Sequence, residues 1–319
     1  MIRYFMKRLL LVLPTFLVIL LVAYLMTSGL VGTRKNAMSA YGDGDRLDAV
    51  FQAIDAPDNR ATKFLRYCYD LFLHGDMGTL GSGTKVSQEV AFRIKYTVVL
   101  AILGFFASVL LGIPLGFAAA LKHNKWPDHA VSFLSAFLAS IPSYCLALFL
   151  VLLFCLWINV LPLYGMDSWK SYVMPTIVLG TGGMSLTARM TRSAVLEILS
   201  KPYLTVLRAK GLPEGKIFFQ HILKNALVPI LSVAGNVAVA VLCSTLVVEN
   251  FFSVPGIGSY LVAAVGERNQ YRLLGSIAAL SLIIIAINFL VDILSALCDP
   301  QFRLQLNKKG STRGKGADA

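Results

Sequence analysis

Residues 96–121 read Tyr96-Thr-Val-Val-Leu-Ala-Ile-Leu-Gly-Phe-Phe-Ala-Ser-Val-Leu-Leu-Gly-Ile-Pro-Leu-Gly-Phe-Ala-Ala-Ala-Leu121, and no side chain among them is charged. A helix needs about 20 apolar residues to cross the hydrocarbon core of a bilayer. A soluble core helix rarely keeps its whole circumference apolar for that length. Five more uncharged blocks occur: Leu9–Thr33, Ala130–Met166, Ser171–Ala188, Asn225–Val248 and Leu273–Val291. Only 14% of the chain is charged, against roughly 25% in soluble domains, and the shortfall is concentrated in these blocks. The sequence is that of an all-α integral membrane protein with six transmembrane helices.

The blocks differ in detail. Ala130–Met166 is longer than one span requires. Pro142 and Pro162 break it, which gives one span between those prolines and a lead-in segment before them. In Ser171–Ala188 the helix is expected to start at Pro175, because proline is tolerated in a first helical turn. Arg3, Lys7 and Arg8 precede the first block, as in a secretion signal. Leu9–Thr33 is longer than a signal's apolar region, however, and no small-x-small cleavage site follows it. It is read as a retained helix. The five cysteines, Cys68, Cys145, Cys155, Cys243 and Cys298, include no Cys-x-x-Cys pair, so neither a disulfide framework nor a thiolate metal site is indicated.

The net charge of +12 is unevenly distributed. The N-terminus, Lys122–His129, Arg189–Lys224 and the C-terminal tail hold 17 basic residues against five acids. The segments on the other side, Arg34–Lys95, Asp167–Lys170 and Glu249–Arg272, hold 12 basic residues against 11 acids. Positive loops stay in the cytoplasm, which places both termini inside and agrees with an even number of crossings. This pattern argues against a nucleic-acid partner. The basic tail Lys308–Lys315 reads as a solvated end near anionic membrane lipid.

The chain therefore divides into an N-terminal membrane helix (1–30), an extracytoplasmic segment with a short helix (31–94), a five-helix core (95–298) and a basic cytoplasmic tail (299–319). The outer segment contains Asp43–Asp48, an amphipathic stretch Phe64–Phe72 and a glycine-rich loop His74–Thr84. Within the core, polar residues 190–224 form the largest cytoplasmic stretch. Lys201–Gly211 reads as a short helix, with Ser200 as N-cap, Pro202 in the first turn and Gly211 in the left-handed position at the end. Pro213 and Glu214 open a second short helix. Together they make a projecting hook whose apolar side chains, exposed to water, call for a protein partner.

On these residues the chain resembles a known family. Ala209-Lys-Gly-Leu-Pro-Glu214, Phe218-Phe219, His221, Lys224-Asn-Ala226 and Pro229 are similar to the cytoplasmic loop of ABC-transporter permeases, more narrowly the first permease subunit of dipeptide, oligopeptide and nickel importers. His74-Gly-Asp-Met-Gly78, Ser140-Ile-Pro-Ser-Tyr144, Leu161-Pro-Leu-Tyr-Gly165, Glu249–Gly258, Asn288–Asp292, and Asp299-Pro300 with Arg303 follow in the family's order. Two departures stand out. The family's Glu-Ala-Ala positions are Thr205, Val206 and Leu207 here, and Arg268-Asn-Gln-Tyr271 stands where an Arg-Asp pair is usual.

The resemblance implies a MetI-like, type I ABC importer fold in a bacterial inner membrane. It implies that Tyr203, Leu204, Leu207, Arg208, Ala209, Lys210, Gly211 and Leu212 couple to ATPase subunits. The implied partners are a second homologous permease, two cytoplasmic ATPases that bind ATP and Mg²⁺, and an extracytoplasmic substrate-binding protein. The implied cargo is a di- or oligopeptide, with nickel or another small solute as the alternative.

Elementary chemistry agrees with this division of labour. The sequence has no Gly-x-x-x-x-Gly-Lys-Ser/Thr and no Gly-x-Ser-x-Gly; its four histidines show no metal-ligand spacing. No catalytic residue, metal ligand or cofactor is assigned to this chain, so ATP hydrolysis must come from a partner. A membrane-embedded enzyme is disfavoured. So is a stand-alone secondary carrier, because such carriers place ionisable groups at mid-membrane and the spans here almost lack them. Ser140, Ser143, Asn236 and Ser244 are the polar candidates for a substrate pathway. Asp292, the notable carboxylate within a span, is expected to pair with Arg189 or Arg192, with a proton-relay role as the alternative.

Overall fold

The computed structural model describes residues 2–28, 60–80, 83–163, 165–166 and 168–298. Asp43–Asp48, Gly81, Ser82, Tyr164, Asp167, the Asp299/Pro300/Arg303 motif and the basic tail lie outside the described residues.

Among the described residues, ten helices follow in order: α1 (Ile2–Ser28), α2 (Arg60–Tyr69), α3 (Val86–Leu121), α4 (Trp126–Ser140), α5 (Ser143–Trp157), α6 (Val173–Leu199), α7 (Pro202–Ala209), α8 (Glu214–Phe251), α9 (Ile257–Gly266) and α10 (Gln270–Cys298). By length and apolar content, α1, α3, α8 and α10 can each cross a membrane. The α4–α5 pair, bent by 92° at Ile141-Pro142, is apolar enough to count as a fifth if its two arms make one span. Pro142 lacks an N–H and disfavours helix at the residue before it, so the break falls where the prolines predicted it.

The sixth segment, α6, has 27 residues, about 40 Å at 1.5 Å per residue, but is more polar. Several of its hydroxyls bond back within the helix, whereas those of Thr176 and Thr191 are buried without a hydrogen-bond partner. Ser185 donates to the Thr181 carbonyl at 3.0 Å and Thr187 to that of Gly183 at 2.7 Å. Such back-bonding is how a hydroxyl is carried in a helix interior. The helix begins at Val173, preceded by a 3₁₀ turn at Trp169–Tyr172, so Pro175 sits in its first turn rather than opening it.

The described chain forms two compact units. Among the described residues, the first comprises 2–8, Val98–Val254 and 284–298. Its centre is the contact of α3 with α6. Gly104, Ser108, Gly112 and Gly116 recur every fourth residue and so share one face of α3. A Cβ on Gly104, Gly112 or Gly116 would lie 2.6–2.7 Å from atoms of Leu179, Thr187, Ala188 or Thr191. Ser108 Oγ donates to the Gly180 carbonyl at 3.2 Å, and a Cβ on Gly183 would collide with it. In lipid, helices associate by close packing of small residues.

The second unit comprises Leu9–Thr97 and Pro255–Ile283. Tyr67 of α2 packs with Tyr24 of α1 and Leu274 of α10, so the stretch read as amphipathic does bury one side. Burial pushes the Tyr67 phenol and the Cys68 thiol up from their ordinary pKa values. The His74–Gly78 motif is a compact turn. Gly75 is left-handed (φ +62°), and the Asp76 carboxylate accepts from the Gly78 amide at 2.9 Å. Gly78, at φ +94°, lies flat against the Tyr271 ring, where a Cβ would be 2.5 Å from Cδ1. Arg93 and Arg272 each stand over the buried Tyr260 ring, at 4.6 and 4.7 Å from its centre. The missing Arg-Asp pair is compensated locally. Asn269 caps α10 by accepting from the Arg272 amide at 3.1 Å, a task in which Asn equals Asp.

Candidate functional site

Two features of the first unit bear on function, the hook and an open cavity. The hook starts where α6 ends at Leu199. Lys201, not Ser200, is the N-cap of α7 and makes no side-chain cap bond; Ser200 Oγ instead donates back to the Glu197 carbonyl at 2.8 Å. Pro202 opens α7, and Gly211 ends it in the left-handed region at φ +77°, as expected from the sequence. The second element is not a short helix. Glu214 starts a 38-residue helix that runs on through Phe251, with a π-turn at Phe218–Leu223. π-turns widen a helix and recur at functional sites.

The two arms are tied at the turn. Arg208 donates to both Glu214 oxygens, at 2.8 and 3.4 Å, and Asn225 donates to the Tyr203 hydroxyl at 3.0 Å. Both members of the Arg208–Glu214 pair face solvent, so the pair orders the turn more than it stabilises the fold.

The hook's apolar side chains are split between two faces. Leu204 is buried with Phe117, Val195, Ile198, Ile217 and Ile222, and Leu207 and Leu212 pack against that cluster. Leu204, 1% exposed, is therefore a root of the hook in its own core rather than a surface residue. Tyr203 and Val206 face outward, as do Arg208, Ala209, Lys210 and Phe219. The open apolar surface thus centres on Val206 and Phe219, which are 53% and 67% exposed.

Near the hook, Arg192 of α6 grips Asp128 through two bonds, Nε to Oδ1 at 2.5 Å and Nη2 to Oδ2 at 2.8 Å. The Asn124 amide donates to Oδ2 at 3.0 Å and His123 Nδ1 lies 3.1 Å from it. Arg192 is thus committed to Asp128. No local pattern signals this pairing, because 64 residues separate the partners.

The cavity, of about 110 Å³, lies among α5, α6 and α8, lined by Ser143, Val178, Leu179, Gly182, Ser244 and Val248 with their neighbours. Two of the four proposed pathway residues, Ser143 and Ser244, meet there. Asn236 is exposed and sits two turns from Ser244 on the same face of α8. Ser140 is apart from the cavity, and its hydroxyl bonds to the Ala136 carbonyl at 2.8 Å. Gly182 was missed by sequence reasoning, which looked for polar side chains where the wall is backbone.

A family model described as binding-protein-dependent transport system inner membrane component matches residues 112–304. The glutathione transport system permease protein GsiC of Salmonella paratyphi A is 33% identical over 305 residues, covering 95% of this chain and 99% of that one. The proteins of the same name from Pectobacterium atrosepticum and Escherichia coli O6:H1 are 32% and 30% identical over the same coverage. Among solved structures, an inward-facing MetNI methionine ABC transporter superposes with a TM-score of 0.57 at 17% identity, covering 66% of this chain and 97% of that one. That likeness concerns the fold alone.

Proposed function

The chain belongs to the binding-protein-dependent transport system inner membrane components, the permease subunits of ABC importers, and on that premise we propose that it carries short peptides inward as one half of a two-permease pore. Its relatives named as glutathione permeases support a peptide cargo, glutathione being one. Both termini lie in the cytoplasm in this reading, as the charge bias favours. Two ATPase subunits bind ATP and Mg²⁺ and engage the hook; an extracytoplasmic binding protein delivers the peptide; membrane lipid surrounds the assembly.

The observation that carries the reading is the two-sided hook. Leu204, Leu207 and Leu212 anchor it to the ends of α3, α6 and α8, while Tyr203, Val206, Arg208, Ala209, Lys210 and Phe219 remain open. A rigid, rooted projection with an apolar centre and a charged rim has the anatomy of a protein interface. Because its root is a shared core, a displacement of the hook is passed to the helices that line the cavity.

Co-expression and reconstitution test this. The chain should purify with a second permease and ATPases, and vesicles holding the complex should take up peptide only with ATP and the binding protein. Uptake by the chain alone without ATP would make it a secondary carrier and overturn the proposal.

A further inference from the structure

The helices around the cavity carry few charges, and their commitments differ. Arg192 is held by Asp128, and Glu197 by Lys201 at 3.1 Å. Glu249 is buried. Lys224 stands on the side of α8 opposite the cavity, since 20 residues separate it from Ser244 and about 200° of rotation results. Arg189 is different. It is exposed, and its described bond is a long one to its own helix, Nε to the Ser185 carbonyl at 3.4 Å.

Position gives Arg189 its meaning. Gly182 and Leu186 line the cavity, and residues three and seven further along a helix share their face. Arg189 therefore continues the cavity wall toward the hook. Helix α8 runs antiparallel to α6 here: a Cβ on Gly183 would touch Val237, and one on Gly104 would touch both Leu179 and Val241. Moving along α6 from Gly182 to Arg189 thus means moving back along α8 from Ala240 to Asn236 and Ser232, both exposed.

Arg189, Asn236 and Ser232 make this end of the face polar, whereas the exposed residues of α3 include Phe106, Leu110 and Leu111. Arg189 opens the basic cytoplasmic stretch, and positive residues favour the watery cytoplasmic side, so this end of the face is open to water and, on the import reading, to cargo. Gly182, in the cavity wall, and Arg189 lie about 10 Å apart along the helix, the span of an extended tripeptide.

We propose that Arg189, with Asn236 and Ser232, forms a subsite for the free carboxylate of the peptide in transit. A guanidinium fork matches a carboxylate in two parallel bonds, which an ammonium cannot do. The subsite rests on the peptide-import reading and names the group that a cargo must carry. A lipid phosphate offers the same anionic oxygens and is the competing source.

The test uses the reconstituted complex with its binding protein, and compares uptake of a tripeptide with that of its C-terminal amide in the same vesicles. The ratio of the two does not depend on how much variant folds. In wild type the free acid should be favoured. Arg189→Gln should lower that preference by an order of magnitude, and Arg189→Lys should restore it only in part. An unchanged preference in Arg189→Gln overturns the subsite. So does full rescue by lysine, or a loss that affects acid and amide equally and tracks anionic lipid, which would assign Arg189 to a headgroup. If wild-type vesicles import neither peptide, the peptide-import reading itself has failed, a result distinct from these.

Discussion

Gly78 meets two demands at once, a left-handed backbone and contact with the Tyr271 ring. Gly83 meets only the first, at φ +83° with nothing within 4 Å of a Cβ. Both alanine variants strain the backbone, by about 1 kcal/mol, but Gly78→Ala must also displace the ring. Its thermal midpoint in detergent should fall clearly further than that of Gly83→Ala. Asp128→Ala would strand the Arg192 guanidinium and should cost about 3 kcal/mol, read by the same melt. Thiol labelling offers a third test. Cys243 is exposed on the face of Asn236, whereas Cys68 is 8% exposed with its thiol pKa raised by burial. A water-soluble maleimide should modify Cys243 and spare Cys68 in single-cysteine variants. The conformations of Gly78 and Gly211 could be anticipated from local rules. The Asp128–Arg192 clamp could not, because a residue's distant partner leaves no trace in the local pattern.

At the scale of elements, α7 was legible as an amphipathic helix stopped by Gly211, but its facing was not. Period 3.6 shows that a helix has an apolar stripe; which core claims it depends on where the helices before and after it arrive. Leu204 went inward and Val206 outward because the ends of α3 and α6 meet α7 from one side. The continuity of α8 was missed for a related reason: Pro229 looks like a boundary, yet the helix runs through it. Gly211→Pro should be decisive for coupling. Proline cannot adopt φ +77°, and it removes the amide that Gly211 donates to the Arg208 carbonyl at 2.9 Å, at a cost of roughly 3 kcal/mol. Uptake should drop by at least an order of magnitude in vesicles. ATP hydrolysis by the same complexes should persist, giving a lower transport-to-hydrolysis ratio. Normal uptake would remove the hook from the mechanism.

For the molecule as a whole, the membrane class was plain in the uncharged blocks, since the bilayer imposes it by solvation alone. The cavity proposed as the pathway was not plain, because part of its wall is a small residue, Gly182, whose importance is the space it leaves. A methyl group added at Gly182 would meet nothing within 4 Å, whereas one on Gly183 would collide with Ser108. Adjacent glycines thus hold opposite offices, one open to change and one locked by packing. Single-base changes turn glycine codons into alanine, serine or valine. At position 182 such changes would narrow or repolarise the cavity without disturbing the helix contact behind it. On the proposed pathway, a lineage or an engineer can therefore retune the cavity at Gly182 while the frame stays fixed, so that cargo preference would drift faster than the fold that carries it.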